Sequence, residues 1–385
     1  MKKALMIASV ASMIDKFNMS NIAILEDLGY KVDVAANFAY GSITSDERVA
    51  QFKAELTAAG RKFYHVDIPR SITKVKEILS AYKMVKTLCD ENKYDVIHCH
   101  SPIGSVIARL AAIDARKHGT KMIYTAHGFH FFRGASIKNW LLYYPVEKVC
   151  AHFTDLLITI NQEDFDLAKK KMPAKKVAYV PGIGVDTEKF SATEINNDEK
   201  RRELGLKETD KVILSVGEVS VRKNHEVVVR ALAKLGRRDV KYLIGGFGAK
   251  EAYLRELAES LGVSDQLMLL GYRSDVAQLL NLTDIYAFPS LQEGLPVALM
   301  EAMSVGKSIV CSRIRGNTDL IEDGVGGFLL EPTDVDGFAN AICRLLEDDT
   351  LRVQMAAVNK DRIQQFSTVT VDKTMREIYV SVSEG

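Results

Sequence analysis

Residues 284–303 read DIYAFPSLQEGLPVALMEAM, and they contain a complete folding unit. The run IYAF is short, apolar and bounded by Asp284 and Pro289, which predicts a buried strand. Past the turn, VALMEAMS continues to Gly306 as a helix. Pro296 suits the first helical turn, where a missing N–H costs nothing, and Gly306 suits the C-cap. A strand without polar alternation followed directly by a helix is the repeating unit of a parallel sheet covered on both faces.

The same rhythm extends outward in both directions. In the second half KVILSVGE, VKYLIGGFG, LMLLGY, KSIVCSR and GGFLLEP are further strand candidates. In the first half KKALMIASV, YKVDVAANF, DVIHCHS, KMIYTAHG, LLITIN and KVAYVPG repeat the pattern, separated by amphipathic stretches such as SAYKMVKTLCDEN. One longer polar segment, GVDTEKFSATEINNDEKRRELGLKETDK, interrupts the alternation, and at 385 residues two domains are expected. The predicted fold class is α/β, with two doubly wound Rossmann-like domains facing each other across a cleft. Residues 1–185 form the first domain and residues 186–365 the second. Residues 366–385 are expected to be a helix that returns to the first domain. Ligands of such sheets bind outside the carboxyl ends of the strands.

Composition narrows the setting. The five cysteines, Cys89, Cys99, Cys150, Cys311 and Cys343, are scattered and never form a CxxC pair, which points to a reducing cytoplasm and away from a zinc site. The start, MKKALMIASVASMIDKF, is broken by Asp15 and Lys16 and lacks a cleavage pattern, so it reads as a strand and not a signal peptide. Residues before Val185 hold 26 of the 51 Lys and Arg but only 18 of the 50 Asp and Glu. The first half is therefore basic and the second acidic, which suits a first domain beside an anionic membrane surface, although scattered solvated charge gives the same count. Nucleic acid is not an expected partner.

Glu293 and Glu301 stand eight positions apart around the turn. Gly294 allows close backbone approach to a ligand, and the free N–H groups of a helix start favour an anion such as a phosphate. Glu293 precedes that anion seat. Glu301 lies more than a turn further along, where a carboxylate can accept two hydrogen bonds from a vicinal diol. A sugar on one side of a diphosphate and a ribose on the other fit this spacing. The plainer alternative makes Glu293 a turn cap and Glu301 a solvated helix residue.

With these residues in view, EGLPVALMEAM resembles the E-x7-E motif of retaining GT-B-fold glycosyltransferases of family 4 (glycosyl transferases group 1). The resemblance extends over the strand and helix order of nearly the whole chain. It implies that Glu293, Gly294, Leu295, Pro296 and Glu301 hold the donor. In SVGEVSVRKNHE, Gly217 opens the loop that in the family reads G-R-x4-K, with both cations on the phosphates. Lys223 matches the lysine, Glu218 occupies the arginine position, and Arg222 is expected to substitute. Gly246 in LIGGFG matches a glycine-rich turn that sterics alone also explain, and Gly271, Tyr272 and Arg273 match the segment whose backbone meets the base. His127 in YTAHGFHFF looks like the family histidine that contacts the donor sugar.

Other features bear on the acceptor. The first loop, ASVASMIDKFNMSN, lacks the Gly-Gly pair of many family members and resembles a branch associated with bacterial capsule and exopolysaccharide assembly. Ser12, Met13, Asn18, His100 and Arg133 are candidate acceptor or cleft residues. His98 and His130 read as structural. Trp140, Tyr143 and Tyr144 near Arg133, Lys138 and Lys148 suit a headgroup surface, or else pack on the sheet.

The resemblance implies transfer of a sugar from a nucleotide diphosphate, with a UDP-sugar such as a UDP-N-acetylhexosamine favoured, to a glycan or polyprenyl-pyrophosphate-linked sugar, and it makes residues 1–185 the acceptor-side domain and residues 186–365 the nucleotide-sugar-binding one. His127, Glu293, Lys223 and Arg222 carry the chemistry, with the leaving phosphate deprotonating the acceptor. No cofactor and no metal are expected, the nucleotide-sugar being a co-substrate. The expected location is cytoplasmic, at the inner face of the plasma membrane if the basic half docks there. A sugar-nucleotide 2-epimerase of the same architecture is one alternative, and an inactive nucleotide-sugar-binding regulatory subunit is another.

Overall fold

In β1 (Lys2–Val10) every residue from Ala4 to Ala8 is fully buried, and alternate side chains enter different cores. Ala4, Met6 and Ala8 pack on one face of the sheet, Leu5 and Ile7 on the other. That division is what an uninterrupted apolar run means in a strand, because successive side chains point to opposite faces. Each such Leu, Ile or Met contributes about 1.5–3 kcal/mol by leaving water.

The computed structural model describes residues 2–42, 44–191 and 196–384. It divides into two units: Met1–Ile183 with Val371–Gly385, and Gly184–Thr370. In unit 1, β1 is followed by β2 (Tyr30–Asn37), β3 (Phe63–His65), β4 (Val96–His100), β5 (Lys121–Ala126), β6 (Leu156–Thr159) and β7 (Lys176–Tyr179). They form one parallel sheet in the order β3-β2-β1-β4-β5-β6-β7. The helix Thr368–Glu384 completes this unit by burying Val371, Met375 and Tyr379, one residue per turn, in the core beneath β1 and β2. Tyr30 and Ser383 share a hydrogen bond of 2.7 Å, and Arg376 pairs with Asp27 at 2.6 Å.

Unit 2 holds β8 (Lys211–Val216), β9 (Val240–Gly245), β10 (Leu267–Gly271), β11 (Ile285–Phe288), β12 (Ser308–Ser312) and β13 (Gly327–Leu330). This sheet is also parallel, in the order β10-β9-β8-β11-β12-β13. In each sheet the order reverses beside the first strand, between β1 and β4 and between β8 and β11. The crevice at the carboxyl ends of those strands is where ligands of this topology bind.

Three details differ from the sequence reading. The short strand β3 is absent from it, because FYH has three residues and only partial burial. The polar segment 184–211 contains the helices Thr187–Ser191 and Asn197–Glu203, while residues 192–195 lie outside the described residues. The change of unit falls at the front of that segment, between Ile183 and Gly184, and the return falls at Val371 and not at residue 366. Among the described residues no helix is long and apolar enough to cross a membrane.

Candidate active site

At the switch point of unit 2, hydrogen bonds tie the loop after β8 to the loops after β11 and β13. Leu291 N donates to Arg222 O at 2.7 Å, and Asn224 Nδ2 donates to Pro289 O at 3.0 Å and to Pro332 O at 2.8 Å. Asn224 adopts a left-handed φ of 54°, a conformation that asparagine tolerates better than most residues. These bonds bring together the charged residues singled out from the sequence. Glu293 Oε1 accepts from Lys223 Nζ at 2.8 Å and from Arg222 Nη1 at 2.7 Å. Arg222 is exposed, whereas Lys223 is buried with its ammonium 4.5 Å from the centre of the Phe288 ring. Burial lowers the Lys223 pKa, and the Glu293 carboxylate opposes that shift.

Glycines make room for this arrangement. Gly217 has φ 148°, and a Cβ there would lie 2.9 Å from Lys223 Cε. A Cβ on Gly246 would lie 1.9 Å from Gly217 O, so the turn after β9 must be glycine for the two loops to touch. Gly294 is braced from the next loop: its carbonyl sits where a Cβ on Gly316 would come within 2.2 Å, and Arg315 Nε donates to Glu293 O at 3.1 Å.

The helix Val297–Val305 begins after Pro296, which is its N-cap (φ −81°, ψ 115°) and not a residue of its first turn as the sequence suggested. Pro296 O still accepts from Leu299 and Met300, each at 3.2 Å. The N–H groups of the first turn have no helical carbonyl ahead of them, which leaves the helix start suited to an anion. Gly306 closes the helix at φ 74°, as expected of a C-cap glycine. Glu301 is partly buried, carries no hydrogen bond among the described residues, and has its pKa raised to about 7 by burial, with Lys189 pulling in the other direction. The Tyr286 hydroxyl is buried without a partner among the described residues.

Gly271, the last residue of β10, takes a left-handed φ of 66°, and Tyr272 after it is 77% exposed. The Arg273 side chain is already committed to Asp275 at 2.5 Å and Glu203 at 2.6 Å. What this segment can offer a base is therefore its backbone and the Tyr272 ring.

In unit 1, an open pocket of about 530 Å³ lies at the carboxyl ends of β1, β4 and β5. Ser9, Met13, Arg70, Ser101, His127 and His130 are among its lining residues. Ser101 is held at φ 68° just before the helix Pro102–Ala111. His127 Nε2 is 3.1 Å from His100 Nδ1, and burial pushes the His127 pKa down to about 4. Of the residues expected near the acceptor, Met13 lines the pocket. Ser12 is buried, Asn18 is buried beside a separate small cavity together with His100, and Arg133 is exposed and does not line the pocket.

His98 is structural as expected, with Tyr379 OH at 2.7 Å from Nδ1 and Thr125 Oγ1 at 2.8 Å from Nε2. His130 instead lines the open pocket and rests on Tyr143 at 4.6 Å between ring centres. Arg70, Ser101, Asn224 and Arg315 were missed. Their roles come from contacts across loops, for which a single sequence gives no signal beyond the residue type.

The comparisons with known proteins bear on the whole chain. Residues 196–362 match the family described as Glycosyl transferases group 1, and residues 18–161 match Glycosyl transferase 4-like. EpsD of Bacillus subtilis (strain 168), a glycosyltransferase by name, is 35% identical over 98% of this chain and 96% of its own. The chain belongs to the group 1 glycosyltransferases.

Two further relatives agree with that assignment. The UDP-Gal:alpha-D-GlcNAc-diphosphoundecaprenol alpha-1,3-galactosyltransferase of Escherichia coli is 30% identical, with 84% of each chain covered. The crystal structure of HepE from Anabaena in complex with UDP-glucose matches this transferase with a TM-score of 0.78 and 21% identity, over 98% of this chain and 99% of that one. That likeness establishes the GT-B fold, two Rossmann-like domains in one enzyme. EpsD and the E. coli relative are both named as transferases, which does not favour the epimerase or the inactive subunit.

Proposed function

We propose that this glycosyltransferase moves a hexosyl or N-acetylhexosaminyl group from a UDP-sugar to a hydroxyl of a lipid-linked glycan during assembly of a bacterial surface polysaccharide, with the anomeric configuration retained. The observation that carries the donor assignment is the convergence of Lys223 and Arg222 on Glu293 at the start of the helix Val297–Val305. Cations and free N–H groups meeting at one point fit a diphosphate. The E. coli relative named for UDP-Gal supports uridine, and the HepE complexes are consistent with it.

In this reading the acceptor oxygen bonds to C1 on the face from which the diphosphate departs. The bond between C1 and the phosphate oxygen breaks, and the acceptor's proton passes to that leaving oxygen. Lys223, Arg222 and the helix start stabilise the charge that develops on the diphosphate, which is work a metal would otherwise do. Glu293 and His127 orient the sugar, and Glu301 accepts from the ribose hydroxyls. The Gly271 to Arg273 backbone meets the base.

The open pocket of unit 1 takes the acceptor. Its wall includes Tyr143 from the helix Ile137–Ala151, and its rim includes the exposed Ile72. That helix turns Trp140, Tyr143 and Tyr144 toward the core, the second of the two readings that the sequence left open. Its exposed face is aliphatic instead: Ile137 is 77% exposed and Leu141 74%, with Leu142, Val146 and Val149 beside them and Lys138 and Lys148 on the same helix. Such a face suits shallow insertion at an anionic membrane, the cytoplasmic leaflet in this reading. Nucleoside diphosphate release from a panel of UDP-, GDP- and ADP-sugars, with and without polyprenyl-linked acceptor, tests the assignment.

A further inference from the structure

His127 lines two spaces at once. One is the open pocket, and the other is a small cavity of about 20 Å³ whose lining also includes Asn18, Asn21, His100 and Thr125. That volume suits one water molecule. Two polar atoms of residues lining the cavity are buried without a partner among the described residues, His100 Nε2 and Asn21 Oδ1. Asn21 spends its amide N–H on Asn18 Oδ1 at 3.1 Å, and Asn18 spends its own on Met13 O at 3.0 Å, so the atom that Asn21 has to offer is an acceptor. Burial keeps the His100 ring neutral, and the His127 ring likewise. One of the two facing nitrogens, His100 Nδ1 or His127 Nε2, must therefore carry the hydrogen of their 3.1 Å bond.

We propose that His100 is a positioning residue that fixes which nitrogen of His127 is protonated, through one water held between His100 Nε2 and Asn21 Oδ1. The proposal rests on the assignment of His127 to the donor sugar. In this proposal the water gives one hydrogen to Asn21 Oδ1 and turns a lone pair, not its second hydrogen, to the Nε2–H of His100. His100 Nδ1 then accepts the Nε2–H of His127, and His127 Nδ1 is left as a lone pair on the side of the open pocket. A bare Nδ1 orients a sugar by accepting from one of its hydroxyls, whereas the opposite tautomer would only donate. The ring of His98, tilted against His100 with centres 4.2 Å apart and anchored by Tyr379 and Thr125, keeps His100 in register.

The test is long-range ¹H–¹⁵N correlation spectroscopy of the full-length protein labelled at histidine. The wild type is expected to show His127 with a protonated Nε2 and a bare Nδ1. Asn21→Leu and His100→Phe are each expected to replace that pattern with exchange-averaged shifts and to lower kcat while leaving donor KM in place. A His127 that carries its proton on Nδ1 in the wild type overturns the proposal, as does a His127 pattern unchanged in both variants. Asn21→Leu leaves the His100 to His127 contact untouched, so the test survives if His100→Phe does not fold. The tautomer is read without any turnover. An enzyme with the expected His127 pattern but no sugar transfer would therefore count against the transferase reading alone.

Discussion

Lys223 and Arg222 hold the same oxygen of Glu293, at 2.8 and 2.7 Å. Without a ligand, the two cations assigned to the diphosphate thus share the one carboxylate assigned to the sugar. Donor binding exchanges one anion for another, and a cation as buried as Lys223 is never left without a counter-charge.

Lys223→Ala is expected to lower kcat by roughly 10²- to 10³-fold, the loss typical of one charge-stabilising donor. Lys223→Arg should not restore the rate, because Lys223 is buried and its Cε runs so close to Gly217 that even a Cβ there would come within 2.9 Å, which leaves little space for a guanidinium. Steady-state kinetics on both variants checks this, and near-wild-type turnover in Lys223→Ala would remove it from the site.

Glu301 gives a pH dependence. Its pKa, raised to about 7 from 4.5, means that the folded protein keeps a proton the unfolded chain has lost. Stability should fall as pH rises from about 4.5 to about 7, and Glu301→Gln should abolish that part of the slope. Ribose hydroxyls bind the ionised carboxylate, so wild-type donor affinity should rise as pH passes through about 7. Glu301→Gln should weaken donor binding by about 10- to 100-fold, the equivalent of about 1.5–3 kcal/mol for a charged hydrogen bond. Calorimetric titration with UDP between pH 6 and 8 measures both effects.

Gly246→Ala should destabilise unit 2 by about 3 kcal/mol or more, since its Cβ would meet backbone at 1.9 Å and not a movable side chain. Urea denaturation reads the loss. A stable Gly246→Ala variant would show that the loops after β8 and β9 can separate.

Leu141→Glu combined with Val149→Glu is expected to abolish sedimentation with vesicles containing anionic lipid while leaving the melting temperature unchanged, because both side chains are exposed. Equal binding by wild type and variant would exclude this helix as the docking face.

The fold was legible in the sequence because parallel strands buried on both faces leave uninterrupted apolar runs. All six strands of unit 2 coincide with runs read from the sequence, and only β3, too short and too exposed to leave one, escaped in unit 1. In the site, Glu293, Lys223 and Glu301 stood out by spacing and by the resemblance. The pairing of Lys223 with Glu293 did not, since 70 residues separate them and only the adjacency of β8 and β11 brings them together. The helix Ile137–Ala151 stayed ambiguous for a related reason: its apolar residues are not confined to one face, so its pattern could not say whether the aromatic or the aliphatic side is buried.

The most direct measurement of the central claim is UDP release from UDP-sugars by wild type and Lys223→Ala, with and without a polyprenyl-diphosphate-linked sugar and in the presence of EDTA, followed by determination of the product's anomeric configuration. The account predicts acceptor-dependent release by the wild type from one UDP-sugar, a retained linkage, and a rate at least about 10²-fold lower in the variant. Release that needs no acceptor, an inverted linkage, or equal rates in the two proteins would contradict it.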